Sequence, residues 1–336
     1  MKPSSYNLVM SAMYHGTKGT RPPVGNPTSI VCHELMDMVG VSFPEAHLNA
    51  QAMTELALAC QELVGFDTVM PEYSVDQEAA ALGAVVDWGN RDRMPDCKNF
   101  PHEDFSDIHV PDDFLEKPSM RVVLDSLTML RRHVGGQAAI IGKAMGPWTL
   151  SYHMAGTQNF LLHVGMKELD KIKKMLEQLM PASIASVKAQ FQAGADVVVL
   201  ADHATGNLIS AEHYRELLMP FHKELTASVS GPLILHVCGN CRDRLELFAD
   251  AGFEAYHFEW QVDAKFAMEK VGQRMSLWGC VNNPQVLYQG TPEDVYRQTR
   301  YAIDAGVHVI GPECALPLAT PLRNLKAIVD AAREGY

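Results

Sequence analysis

The chain has 336 residues, enough for one large domain or two ordinary ones, and its 47% apolar and 20% charged residues suit a soluble globular enzyme. A net charge of −12 without a Lys/Arg cluster argues against a nucleic-acid partner, and no apolar run approaches the length of a membrane span. Met1-Lys2-Pro3-Ser4-Ser5 carries no signal-peptide core, so a cytoplasmic location is expected, and seven scattered Cys favour free thiols or metal ligation over a disulfide framework.

Residues 1–20 read as a helical N-terminal extension ending in a Gly-rich turn, Gly16-Thr17-Lys18-Gly19-Thr20. A first strand is expected at 23–31, a helix at about 50–64 closed by Gly65, and a second strand at 67–73. The stretch 91–118 breaks this rhythm. Asp92, Asp96, Glu103, Asp104, Asp107, Asp112 and Asp113 crowd into a Pro-containing segment, which reads as a long acidic surface loop inserted after the second strand. Six further strands are expected at 138–143, 196–201, 233–238, 255–258, 275–280 and 308–310. Gly194, Gly252 and Gly306 each follow a helical pattern and lead into an apolar run, as a left-handed residue closing a helix does. Eight strands interleaved with helices imply an α/β protein, a (β/α)8 TIM barrel forming a single domain over 1–336. The alternative, an open doubly wound sheet, lacks the Gly-rich phosphate fingerprint after its first strand.

In such a barrel the reacting groups come from the carboxyl ends of the strands. The polar residues there are Glu72, Lys143, Asp202, His203, His236, Cys238, Glu259, Asn282, Asn283 and Cys314. Side chains alternate along Pro232-Leu233-Ile234-Leu235-His236-Val237-Cys238-Gly239-Asn240, so His236 and Cys238 share one face at the strand's end. Gly311-Pro312-Glu313-Cys314 ends another apolar run and offers a second sulfur. His236, Cys238 and Cys314 are therefore the chosen ligands of a catalytic zinc, with Glu259 in the exchangeable fourth position. Two thiolates, a neutral imidazole and Zn2+ sum to zero charge. Such a centre hosts and deprotonates a substrate thiol better than it makes hydroxide, which points to alkyl transfer onto sulfur. Asp202 and His203 suit an orienting carboxylate and proton shuttle, or a plain polar strand end. Cys238-Gly239-Asn240-Cys241 also spells C-x-x-C, but no small thioredoxin-like domain or second C-x-x-C accompanies it. Cys32, Cys60, Cys97 and Cys280 have no partner pattern and read as structural or surface thiols.

His236-x-Cys238-Gly239-Asn240 with Cys314 resembles the zinc signature of the methylcobamide:coenzyme M methyltransferases of methanogens, within the uroporphyrinogen decarboxylase superfamily. Arg21-Pro22-Pro23-Val24, Gly146-Pro147-Trp148-Thr149, Asp202 with Thr205-Gly206, and Phe258-Glu259 before Val262-Asp263 support the likeness over nearly the whole chain. The resemblance implies a zinc-binding barrel in which the thiol of coenzyme M takes a methyl group from methyl-Co(III) on a separate corrinoid protein, in methanogenesis from methylated C1 compounds. It implies His236, Cys238 and Cys314 as ligands and Glu259 as the displaceable fourth; Lys143 and Asn282, from the strand ends, are the expected small-molecule-binding residues. Cys241 departs from the expected polar residue and leaves a ligand swap open.

The superfamily's decarboxylases are the natural alternative. They bind a polycarboxylate tetrapyrrole through an Arg-rich segment, whereas residues 25–33 here contain no Arg. A non-enzymatic corrinoid-binding barrel is a third reading, but Asp202-His203 lacks the spacing of a cobalt-binding Asp-x-His-x-x-Gly loop. The acidic stretch 91–118 is a candidate docking surface for the corrinoid protein.

Overall fold

The described residues form nine short strands, of which the parallel ones arise from apolar runs and the two antiparallel ones do not. The computed structural model describes residues 3–15 and 21–334, so the turn expected at 16–20 lies outside the described residues. The strands are β1 (Thr68–Val69), β2 (Val86–Asp87), β3 (Asp96–Cys97), β4 (Ala139–Met145), β5 (Val197–Ala201), β6 (Leu233–His236), β7 (Ala255–Phe258), β8 (Ser276–Val281) and β9 (Val309–Pro312). All but β2 and β3 form one parallel sheet in the order β1-β4-β5-β6-β7-β8-β9, while β2 and β3 pair as an antiparallel hairpin.

The ring closes through a single residue. Val24 bridges Ile310 in parallel; Ile310 N–H donates to Pro23 O and Gly25 N–H to Ile310 O, while Asp67 N–H donates to Val24 O on the other side. The buried Asp67 carboxylate accepts from both Arg21 nitrogens (2.7 and 2.6 Å) and from Val24 N–H (2.8 Å), pinning this segment against β1. The strand expected at 23–31 thus shrinks to one bridge. Pro22 and Pro23 offer no ladder N–H, Pro27 offers none either, and the Asn26 side chain accepts from Thr28 N–H and turns the chain. Pro71 likewise ends pairing in the second strand after Val69. The architecture is a (β/α)8 TIM barrel.

Side-chain alternation sorts the strands into two environments. Ala139, Ile141, Val197, Val199, Ile234, Ala255, Trp278 and Val309 point inward and form one cluster with Val9, Ala12 and Met13 of helix Ser5–Met13. Helix Ser5–Met13 is therefore the floor of the barrel. The alternate residues, among them Ile140, Val198, Leu233 and Leu235, pack against the outer helices. Gly194 and Gly306 close helices Leu169–Ala193 and Pro292–Ala305 with φ of 119° and 90°, as the pattern predicts. The acidic stretch contributes β3 and a 3-10 turn at Phe114–Glu116, and Lys174 and Lys117 pair with its Asp107 and Asp113. No described helix is long and apolar enough to cross a membrane.

Candidate metal centre

Above the inward cluster, the next inward position of β6 is polar, and polar residues follow the end of β9. His236 ends β6 one inward step after Ile234, and Cys238 follows one step later. The chain then turns at Gly239, whose φ is 81° and where a Cβ would lie 2.5 Å from Thr205 Oγ1, so only glycine fits there. Cys314 lies just past β9. Its carbonyl accepts from Asn26 Nδ2 and Asn283 Nδ2, both at 3.1 Å, and Asn283 also holds the Ala315 carbonyl. The Glu313 carboxylate accepts from Trp260 N–H and Asn283 N–H, tying this loop to those after β7 and β8.

His236 Nε2, Cys238 Sγ and Cys314 Sγ form a triangle with sides of 3.1, 3.4 and 3.5 Å. A tetrahedral zinc with Zn–S of about 2.3 Å and Zn–N of about 2.0–2.1 Å sets its donors roughly 3.5–3.8 Å apart, so one soft cation fits this donor set with small adjustments. The Glu259 carboxyl lies beside Cys238 and the Gly239 N–H, half-buried, and burial together with Cys314 raises its pKa. The Cys238 and Cys314 sulfurs share a hydrogen bond, which with His236 and the Ala315 N–H lowers the Cys314 pKa well below the usual thiol range and raises that of Cys238.

His257, directly opposite His236 in the β6–β7 register, sets which nitrogen faces the sulfurs. His257 Nε2 lies 2.9 Å from the Pro312 carbonyl, which can only accept, so Nε2 carries the proton. Burial drives the His257 pKa well below that of a free imidazole, so the ring is neutral and its Nδ1 accepts from His236 Nδ1–H at 2.9 Å. With Nδ1–H given to His257, Nε2 is the His236 nitrogen turned toward the two sulfurs, the one a metal there would take.

The triad lines a cavity of about 290 Å3, together with Thr28, Tyr73, Lys143, Thr149 and His203. Lys143 is 3% exposed, and its ammonium has no hydrogen bond or ion pair among the described residues; burial lowers its pKa, against the opposing influence of Glu72 and Glu78. His203 is held neutral by burial and by its proximity to His236. Both Asp202 oxygens are engaged: Oδ1 accepts from Thr149 N–H at 2.7 Å and Oδ2 meets His222 Nε2 at 2.9 Å, with Tyr214 OH beyond. Asn282 accepts from Gln285 N–H and caps the turn Asn283–Tyr288, outside the cavity lining. Cys241 is buried behind the Gly239 turn, its sulfur toward the Cys238 carbonyl and outside the triad. Cys32, Cys60, Cys97 and Cys280 are all buried free thiols. A larger open groove of about 580 Å3, lined by Asn240, Arg242 and Lys270, shares no residue with the cavity.

The uroporphyrinogen decarboxylase (URO-D) family profile matches residues 6–335. The chain belongs to the uroporphyrinogen decarboxylase family. Its relatives in that family include methylcobamide:CoM methyltransferase MtaA of Methanosarcina barkeri, 32% identical with 97% of this chain and 96% of the relative covered. A methylated-thiol–coenzyme M methyltransferase of Methanosarcina mazei is also 32% identical, covering 93% of this chain and 84% of the relative. The solved structure of a methyltransferase from Methanosarcina mazei superposes with a TM-score of 0.94 at 31% identity and covers 99% of both chains. This family member is thus a transferase with the barrel of its relatives. Two features of its site escape sequence reasoning. His257 gives no signal beyond a lone His in the buried run Tyr256-His257-Phe258, because register between strands is not local information. Asn26, and Asn283 beyond its reading as a polar strand end, hold the Cys314 carbonyl from remote loops.

Proposed function

We propose that the chain transfers a methyl group from a methyl-Co(III) corrinoid, carried by a partner protein, to the thiol of coenzyme M in the cytoplasm. The reading rests on one observation above all: an imidazole nitrogen and two sulfurs converge within 3.5 Å on the wall of a cavity that suits a small thiol. His236, Cys238 and Cys314 would hold zinc, with Glu259 as the fourth, exchangeable group. The metal, when bound, lowers the pKa of a thiol and keeps the sulfur nucleophilic.

The chain's own groups do the rest. His257 orients His236; Asn26 and Asn283 hold the Cys314 loop; His203 stays neutral beside the reacting sulfur. Lys143, the cavity's unpaired cation, faces the substrate's sulfonate. The S–C bond forms as the C–Co bond breaks with both electrons left on cobalt, and the thiol proton leaves to solvent. A corrin on the partner would have to offer its methyl group from the mouth, because the cavity of about 290 Å3 would admit a small thiol but not the ring. That limit, with Thr28 and Ser29 where a polycarboxylate would need arginines, disfavours the decarboxylase reading.

Methylcobalamin demethylation by coenzyme M, run beside zinc analysis, tests this. Wild-type protein with one zinc at this site should demethylate methylcobalamin, and Cys238→Ala or Cys314→Ala should lose that zinc and the activity together with the fold intact. Full activity in either zinc-free variant would end the reading.

A further inference from the structure

A second set of ligand-type side chains converges on the mouth side of the barrel. Asp76 lies beyond the end of β1, Cys97 on β3 of the hairpin, and His153 on helix Pro147–Ala155, the helix that follows β4. A carboxylate oxygen, a sulfur and a ring nitrogen from these three lie within 4.8 Å of one another. The Cys97 thiol donates to Asp76 Oδ1 at 3.3 Å. His153 Nδ1 is buried and has no hydrogen-bond partner among the described residues. An unsatisfied buried nitrogen costs about 1–3 kcal/mol, which marks it as a group prepared for something else. Cys97 is itself out of place: it is buried while Asp96, Lys98, Asn99 and Phe100 around it are exposed.

We propose that Asp76, Cys97 and His153 bind a structural zinc ion that staples the β2–β3 hairpin to the barrel mouth. The donor chemistry selects the metal. One sulfur, one imidazole nitrogen and one carboxylate suit zinc, whereas calcium and magnesium take oxygen alone. One thiolate and one carboxylate also neutralise the dication, so no net charge is buried. The tie would reinforce a hairpin whose ladder spans two residues per strand plus the Asn90–Arg93 bridge, since a two-stranded hairpin by itself is marginal in water. The cross-link joins the end of β1, the hairpin and the helix whose Thr149 N–H holds Asp202. It draws on none of the residues of the proposed methyl-transfer centre, so the two readings stand or fall separately.

Cobalt titration of the full-length, metal-free protein separates them. Cys238→Ala/Cys314→Ala, which dismantles the first centre, should still bind one Co2+ with a thiolate-to-cobalt charge-transfer band, and adding Cys97→Ala should abolish that band. Zinc-saturated wild-type protein should hold two zinc ions per chain, and Cys97→Ala one, with methyl transfer retained. Should Cys97→Ala fail to fold, His153→Gln must lose the second ion with a native circular dichroism spectrum. Equal zinc content in zinc-saturated wild type and Cys97→Ala, or a cobalt–thiolate band that survives when Cys97→Ala is added to Cys238→Ala/Cys314→Ala, would overturn the proposal.

Discussion

Replacing His257 by Phe keeps a ring of similar size in the β7 position but removes both of its hydrogen bonds, to His236 Nδ1 and to the Pro312 carbonyl. His236 Nδ1–H would then be buried without an acceptor, at a cost of about 1–3 kcal/mol. Loss of such an outer partner lowers metal affinity by about 10–100-fold, or about 1.4–2.7 kcal/mol, the same range by an independent route. Zinc affinity measured against a competing chelator should therefore weaken 10–100-fold in His257→Phe. His257→Gln should recover much of this, because its carbonyl can accept from His236 while its amide donates to Pro312. Thermal unfolding of the metal-free variants separates a loss of ligand orientation from a loss of fold. Wild-type zinc affinity in a folded His257→Phe protein would refute the tautomer argument.

Lys143→Met should raise KM for coenzyme M far more than it lowers kcat, and should leave KM for an uncharged thiol nearly unchanged; equal effects on both thiols would show that Lys143 does not meet the sulfonate. Glu259→Gln should leave zinc bound, since three ligands remain, yet change the pH dependence of thiol binding; loss of the metal would instead make Glu259 an essential ligand. At the barrel floor, burial and His15 push the His308 pKa down to about 4 from 6.5. The unfolded chain therefore binds this proton first on acidification, so His308 contributes up to about 3 kcal/mol that is present above pH 6.5 and is lost as pH falls toward 4. Urea unfolding at pH 7 and pH 5 should show a smaller pH effect in His308→Gln than in wild type, and an identical effect would contradict the assignment. If the acidic stretch docks the corrinoid protein, Asp104→Asn with Asp112→Asn should weaken the salt dependence of methyl transfer from that protein; Asp107 and Asp113 are the poorer targets, being paired with Lys174 and Lys117.

Whatever depends on neighbours along the chain was legible before any fold was known. Alternation puts His236 and Cys238 on one face, glycine at 194 and 306 closes helices, and repeated strand–helix units imply a parallel sheet. Placing Cys314 beside His236 and Cys238 needed the rule that reacting groups gather at the carboxyl ends of barrel strands. What the sequence could not determine are contacts made by closure and register. Proline after Val69 and around Val24 trims two expected strands, and the ring still closes because Asp67 gathers Arg21 and Val24 from a remote segment. The N-terminal helix becomes the barrel floor only once the inward residues of the strands present a common apolar surface to it. His257 meets His236, and Cys97 meets Asp76, through pairings set by packing energy summed over the whole sheet and hairpin, which no local pattern encodes.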